Sequence, residues 1–401
     1  MNRPKQLTAR DLALAGPALI VAVLVRAISP VVRLRFRNFP ADEIGPMTVV
    51  SQHYLRIKAS RKTRRLIDYW YLKSSVKVAN SYMFGFVESQ IKIRRSRFIE
   101  LVAAWSEKLP RVEHHQIESE IRITLLEGVG NKMRLPQKDR DVAAEYLRQI
   151  GINPNAEFIA LTVRDGAYKS GVEQPNTQAR KDKENYRNQD IGDYLAIAEK
   201  FASMGVQVVR MGAKVEQPLA TKSPLVIDYA SSGKRTEAAD IYLVSECSMC
   251  ISSNLGFDHI AAMSGKMRVI TNQALVVQAS TLFYSSDVFI LQRFREKASG
   301  RILTFAESLQ HPEIRNLDWY HKVVDLGLEF VRNTPDEIVA ASIEGWQRSK
   351  GNWAPTAEDD ELQARYWSIY DKFFPDHKAR FGKGRPHVGA DFLRRNASWL
   401  A

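Results

Sequence analysis

Five short apolar runs in the latter part of the chain constrain its fold more than any other feature. They are Phe158 to Val163, Val206 to Met211, Met249 to Ser252, Met267 to Thr271 and Val288 to Leu291, each only four to six residues long. Each is too short for a buried helix and too uniformly apolar for a strand with one wet face, so they read as strands buried on both sides of a parallel sheet. Helix-like stretches lie among them, at Asp193 to Met204 and from Phe257. Two more, Pro335 to Arg348 and Glu361 to Phe374, close the chain. The alternation predicts an α/β, Rossmann-like sheet with helices on both faces.

The first part of the chain alternates more faintly. Val32, Leu34 and Phe36 interleave with Arg33, Arg35 and Arg37, the period of a strand with one buried face. A loop at 40–46 leads to a helix from Met47, then a strand at Leu66 to Leu72 and helices at Phe98 to Lys108 and Asp141 to Ile150. Gly151-Ile152-Asn153-Pro154 interrupts this pattern, and a domain boundary is expected near 150. The expected organisation is a membrane-associating segment at 1–30, an amino-terminal Rossmann-like domain at 31–150 and a carboxyl-terminal one at 151–401. The polar stretch Lys169 to Arg187 is longer than a simple connection and reads as a functional or disordered loop.

Charge is concentrated at the amino terminus. Residues 1 to 65 hold thirteen Lys/Arg and three Asp/Glu, a net of +10 out of +13 for all 401 residues. A basic zone of this kind needs an anionic partner, nucleic acid or lipid. Beside it, Leu12 to Val25 is uncharged, and as a helix would cover ~21 Å against a hydrocarbon core of ~30 Å. That predicts a helix lying in the membrane interface, with Arg3, Lys5, Arg10 and Arg26 reaching lipid phosphates. A signal peptide and a buried first helix are the alternatives, the former disfavoured by Pro30 at the point of cleavage. Two cysteines exclude a disulfide framework and fit a reducing cytoplasmic compartment. Cys247-Ser248-Met249-Cys250 has CxxC spacing but leads into a strand and has no second pair, so buried structural thiols are expected and no metal site.

Two constellations could carry chemistry. Arg164 and Asp165 follow the first buried strand, where open α/β sheets place ligands, and Arg is suited to bidentate phosphate contacts. They could equally pair with each other. Arg187 and Asp190 precede a helix, with Asp190 a plausible N-cap. Ser252, Ser253, Asn254 and Gly256 end another strand and open a helix, whose amides and dipole would suit a diphosphate. Small polar residues also cap helices that bind nothing. No P-loop, GxGxxG or serine-elbow pattern is present.

The segments LTVRDGAY, YRNQDIGDYLAIAEKFASMGVQVVRMG with the following Asp228-Tyr229, SSNLGFDHIAAMSGK and GADFLRRNASWL together resemble a family of bacterial glycosyltransferases of surface-polysaccharide biosynthesis loci. The likeness covers most of the chain from about Arg33 and is strongest between 160 and 275. It implies a GT-B-type pair of Rossmann-like domains, with a nucleotide-sugar donor bound mainly by the carboxyl-terminal one. SSNLG-to-SGK is similar to the nucleotide-binding helix of heptosyltransferase-like enzymes, and VRD to an Arg-containing motif of fucosyltransferases. The family commonly has His at the position of Thr162, and Ile-Gly-His where this chain reads Ile44-Gly45-Pro46.

The expected function is metal-independent, cofactor-free transfer of a sugar to a glycan or lipid-linked acceptor, peripherally at the cytoplasmic face of the inner membrane. Arg164, with Arg187 as a second candidate, and the amides at Ser253 to Gly256 would stabilise the departing diphosphate, and Asp42 and Glu43 are the candidate bases. The other readings are a basic nucleic-acid binder, though no nucleic-acid module is recognisable, and a non-catalytic scaffold of the glycan machinery.

Overall fold

The structure is a computed structural model that describes residues 9–60, 65–117, 127, 132–167, 185–315, 320–381 and 383–401. Most of the long polar stretch at 169–187 therefore lies outside the described residues, as do Arg3 and Lys5. The chain divides into two compact units, Met1–Ile121 and Arg122–Ala401.

The first unit begins with α1 (Ala9–Ala27) and continues through β1 (Arg33–Asn38), α2 (Ile44–Ser60), β2 (Leu66–Tyr71), α3 (Ser81–Glu88), β3 (Ile93–Arg94) and α4 (Arg97–Ser106). Its three strands pair in parallel in the order β1-β2-β3. The expected strand is present, but its burial does not alternate: Arg35 and Phe36 are both buried. Arg35 pairs with Asp68 at 2.8 Å, so the strand buries an ion pair among its apolar neighbours. Trp70 sits at the centre of one core, edge-on to Tyr54 and Phe39 at 5.1 and 5.6 Å.

Helix α1 packs along α4, and Ala18, Ala22 and Val25 join Phe36, Tyr71, Val102 and Ala103 in a second core. Alanines one turn apart let the helices approach closely, the condition for a tightly packed interface. The helix is thus neither wholly buried nor merely laid on the surface. One face belongs to the unit, and the other is exposed. No helix among the described residues is long and apolar enough to cross a membrane.

The second unit is built on a seven-stranded, wholly parallel sheet. In chain order its elements are α5 (Gln137–Gln149), β4 (Phe158–Thr162), α6 (Leu195–Ser203), β5 (Gln207–Met211), β6 (Val226–Ile227), α7 (Glu237–Glu246), β7 (Met249–Ser252), α8 (Asp258–Met263), β8 (Met267–Gln273), β9 (Val288–Leu291), β10 (Arg293–Glu296), α9 (Phe305–Gln310), α10 (Pro312–Arg315), β11 (Leu328–Val331), α11 (Pro335–Ser349), α12 (Ala357–Phe373), β12 (His387–Val388) and α13 (Ala390–Arg395). The strand order β12-β9-β8-β7-β4-β5-β6 starts at β4, runs outward through β5 and β6, then returns to β4's other side for β7. That is the doubly wound order, with its reversal between β4 and β7. All five apolar runs are sheet strands, buried throughout. Helix α11 crosses β8 at Gly345, where a Cβ would stand 2.3 Å from Val269 Cγ2.

The division at 121/122 lies some way before the boundary expected near 150. Helix α5 packs on α7, with Arg140 paired to Glu246 at 3.2 Å, and so belongs to the second unit. Gly151 takes φ +88° and the Ile152 N–H returns to Leu147 O. The breaker in the sequence is a glycine helix cap inside that unit.

Candidate functional site

In a doubly wound sheet the connections leaving the carboxyl ends of the two strands that flank the reversal run to opposite faces and leave a crevice outside those ends. Here those ends are Thr162 on β4 and Ser252 on β7, paired in register. The sequence-predicted residues of the second unit gather around them. The Ser253 N–H donates to Thr162 O at 3.0 Å, and the Arg164 N–H donates to Ser253 Oγ at 2.8 Å, clasping the two strand ends. Arg187 reaches the same turn, donating to Asn254 O at 2.8 Å, while Arg164 Nε donates to Asn188 Oδ1 at 3.3 Å. Gln189 N–H, in turn, donates to Arg164 O at 2.8 Å. One guanidinium, that of Arg187, therefore sits on the strand-end turn, while Arg164 is tied to it through its backbone and turns its own guanidinium to Asn188; both side chains are half-buried.

The turn departs from the expected helix-start cradle. Helix α8 has six residues, begins at Asp258, and spends some of the amides on its own side chains. Asp258 Oδ2 accepts the Leu255 N–H at 3.0 Å and the Ser252 hydroxyl at 2.8 Å. Asp258 Oδ1 receives Arg268 Nη1 at 3.1 Å. With the Ser253 amide also taken, the Asn254, Gly256 and Phe257 amides are left in this turn without a partner among the described residues. Asn254 adopts φ +62°, a left-handed conformation that Asn tolerates better than most residues and that can aim successive amides into one concavity.

Arg268 is fully buried on β8 between Asp258 and Asp287, and also donates to Leu282 O at 2.9 Å. Burial works against its charge, but the two carboxylates outweigh it and hold the guanidinium ionised well above the usual range. Asp258 was not singled out by the sequence, although an acid six residues after a strand-end serine is a recognisable signal for such a turn. Next to it His259 Nδ1 lies 3.5 Å from Asp258 Oδ1. Burial lowers the imidazole's pKa, Asp258 opposes this, and Arg268 and Arg187 reinforce it, so His259 is neutral near pH 7.

A second tier of amides supports the edge. Asn254 Nδ2 and Gln273 Nε2 both donate to Gln278 Oε1, at 2.6 and 2.9 Å. Tyr194 OH meets Thr271 Oγ1 at 2.7 Å and receives Asn272 Nδ2 at 3.1 Å. Burial pushes that phenol up to about 12, so it stays a neutral hydrogen-bonding group. Asn272 and Asn333 exchange amide hydrogen bonds at 2.6 and 2.7 Å.

Asp165 and Asp190 have a different placement from Arg164. Asp165 accepts backbone N–H groups of Ala167 at 3.0 Å and Glu216 at 2.9 Å, and lies 3.9 Å from Arg210. Asp190 Oδ1 accepts the Gly192 N–H at 2.8 Å and Gln217 Nε2 at 2.9 Å. Both carboxylates hold the loop after β5 in place. Asp228 does similar work, receiving Arg210 at 3.2 Å and the Leu219 N–H at 2.7 Å. Asp42 and Glu43 are exposed in the first unit, immediately before α2. Thr162 is 1% exposed and donates to Ile251 O at 3.3 Å, so its position offers no proton acceptor to a ligand. Cys247 and Cys250 are buried free thiols, the former pushed up to about 12 by desolvation and the latter also raised by it. Neither is a ready thiolate.

No family model matches the chain, and neither does any curated protein. Several solved structures are similar to it. One is a family 9 glycosyl transferase from Veillonella parvula, at 10% identity and TM-score 0.41, covering 78% of this chain and 96% of that one. Another is the E. coli ADP-heptose lipopolysaccharide heptosyltransferase II, at 10% identity and TM-score 0.36, covering 60% and 86%. A third is the E. coli heptosyltransferase WaaC with ADP-2-deoxy-2-fluoro heptose, at 10% identity and TM-score 0.29, covering 60% and 89%.

Proposed function

We propose that the chain is a glycosyltransferase that takes a sugar from a nucleotide-sugar donor and passes it to a glycan or lipid-linked acceptor in surface-polysaccharide biosynthesis. The observation that carries this reading is what gathers at the sheet's reversal: the Arg187 guanidinium on the β7 turn, Arg164 held there by its backbone with its guanidinium on neighbouring Asn188, and the Asn254 and Gly256 amides. Departure of a nucleoside diphosphate builds negative charge on the phosphate oxygens. Guanidinium groups and amides fixed beforehand stabilise that charge without reorganising. Arg268 and Asp258 act one step back, since their ion pair holds the turn in shape and lets an acid stand beneath an anion site with its charge balanced.

The sequence resemblance to polysaccharide glycosyltransferases supports the same reading and extends it to a GT-B-type, metal-independent enzyme. In that scheme Asp42 or Glu43 of the first unit takes the acceptor's proton. The enzyme would work peripherally at the cytoplasmic face of the inner membrane.

The test is a calorimetric panel of UDP, GDP, CMP, dTDP and ADP with the purified chain. A ligand at a hundred times its dissociation constant should raise stability by ~2.7 kcal/mol. One of the panel is expected to bind, and Arg164→Ala should weaken it by roughly 1.5 to 3 kcal/mol, the scale of a hydrogen bond to a charged group. Arg164→Lys should fall between, because it keeps charge but loses the planar fork. Indifference to every nucleotide, or wild-type affinity in Arg164→Ala with an unchanged melt, would remove the reading. Binding without sugar transfer to any acceptor would favour the scaffold.

A further inference from the structure

Helix α1 reverses the usual arrangement of a surface helix. Two of its charged residues, Asp11 and Arg26, turn inward. Asp11 receives Arg97 Nε at 2.6 Å, and Arg26 Nη2 donates to Ser106 O at 2.6 Å, so both ends of the helix are bound to α4. Arg26 is therefore not the lipid-facing cation that the sequence suggests. The small residues Ala18 and Ala22 also face inward, together with Val25. Large apolar side chains face solvent instead. Leu12, Ile20, Val23 and Leu24 are 62, 61, 48 and 55% exposed, and Ile28 and Val31 extend the row past the helix end. A row of this length is more than the scattered exposed apolar residues of an ordinary surface.

We infer that this row docks on an anionic lipid bilayer surface as a preformed ridge, with α1 remaining packed on α4. The inference does not depend on the proposed catalytic activity. The charge around the ridge selects its occupant. Arg33 lies two residues after Val31 and is exposed, and its N–H donates to the carbonyl of exposed Arg65 at 2.8 Å. Residues 61–65 contain four Lys/Arg and no acid, and Arg3, Lys5 and Arg10 precede the row in the sequence. Glu113 is the acid that acts on Arg26. A second copy of this chain would bring like charge to like charge, whereas anionic headgroups above an apolar boundary complement both features. The 19 residues of α1 make a ridge of ~28 Å, suited to lying in the interface.

The experiment is co-sedimentation of the full chain with phosphatidylcholine vesicles, with and without phosphatidylglycerol. Wild type should bind the anionic vesicles, and more weakly as salt is raised. Ile20→Glu with Leu24→Glu replaces two solvent-facing side chains, and should cut the partition coefficient at least about tenfold with the circular dichroism melt unchanged. Arg33→Gln leaves the apolar row intact and should weaken binding at low salt only. Equal sedimentation of wild type and the double variant would overturn the inference. So would wild-type binding that ignores phosphatidylglycerol. A wild-type dimer by light scattering that the double variant breaks would also overturn it, and would assign the row to a second copy.

Discussion

The carboxyl edge of the seven-stranded sheet and the outer face of α1 depart from ordinary protein surface in opposite senses. At the sheet edge charge is taken inside: Asp258 of the β7 turn is paired with fully buried Arg268, which reaches it from the amino half of β8, and Arg210 is 1% exposed beside Asp228. On α1, Leu12, Ile20, Val23 and Leu24 are put outside while Asp11, Arg26, Ala18 and Ala22 turn in. The first arrangement fixes a backbone turn, since each buried ion is tied to a strand-end loop. The second fixes only a helix, through packing of alanines. A site that must hold a small ligand needs positions set to fractions of an ångström, and hydrogen-bonded ions supply them. A surface that meets a fluid bilayer needs area and direction, which a packed helix supplies without any specific contact.

The largest break in this contrast should come from Arg268→Ala. It strands two buried carboxylates, and removing one partner of a buried ion pair costs roughly 3 to 5 kcal/mol. Hydrogen exchange should show the loss in β7, β8 and β9, while β1 and β2 keep their protection. A comparable loss in both units would mean that the buried charges stabilise the chain as a whole rather than this edge. The next effect is expected on α1. Ala22→Leu inserts a large side chain where α1 meets α4, and overpacking of this kind costs about 1 to 3 kcal/mol. Ile20→Ala on the opposite face should move the denaturation midpoint little, within about 0.5 kcal/mol. If the two substitutions cost the same, α1 has no privileged inner face and the asymmetry is only geometric.

Much of this contrast could be read from the sequence, for reasons that differ by element. The five central strands were legible because burial on both faces demands unbroken apolar runs, and no other local structure of that length does. Helix α7 was not, because Ala239 to Ser245 are all buried and a helix surrounded by protein leaves no polar face to mark its period. Strand β12 has two residues and exists only through its pairing with β9. The Gly151 break was visible, but a helix cap and a domain boundary ask the same of a glycine. At the candidate site, the placement of Arg164, Ser253 and Asn254 beside one another followed from their positions just after β4 and β7. The roles of Asp165 and Asp190 did not, because they depend on Glu216 and Gln217 in the loop after β5, distant in sequence. Arg268 is silent for the same reason: an arginine in an apolar run signals burial only when its two acids are known. On α1 the sequence identified the apolar run and the neighbouring charge, but which residues turn inward depended on α4.

The smallest effect separates the roles of backbone and side chain within the turn itself. Ser253 is 2% exposed, and its hydroxyl oxygen accepts the Arg164 N–H at 2.8 Å. Ser253→Ala removes that acceptor and leaves a peptide N–H without its partner, which should lower stability by about 1 kcal/mol. Its own N–H still reaches Thr162 O, and the Asn254 and Gly256 amides are unaltered, so the turn should survive. Nucleotide affinity should therefore fall less than in Arg164→Ala, because the substitution loosens the clasp between β4 and β7 without removing a group proposed to bind phosphate. Calorimetric titration with the nucleotide found in the panel, alongside the melting transition, measures both quantities. If Ser253→Ala costs as much affinity as Arg164→Ala while melting as wild type does, the hydroxyl itself must face the ligand. The hydrogen bond to Arg164 would then be a resting contact that the ligand replaces, and the anion site would lie nearer the β4 end of the crevice than the two arginines suggest.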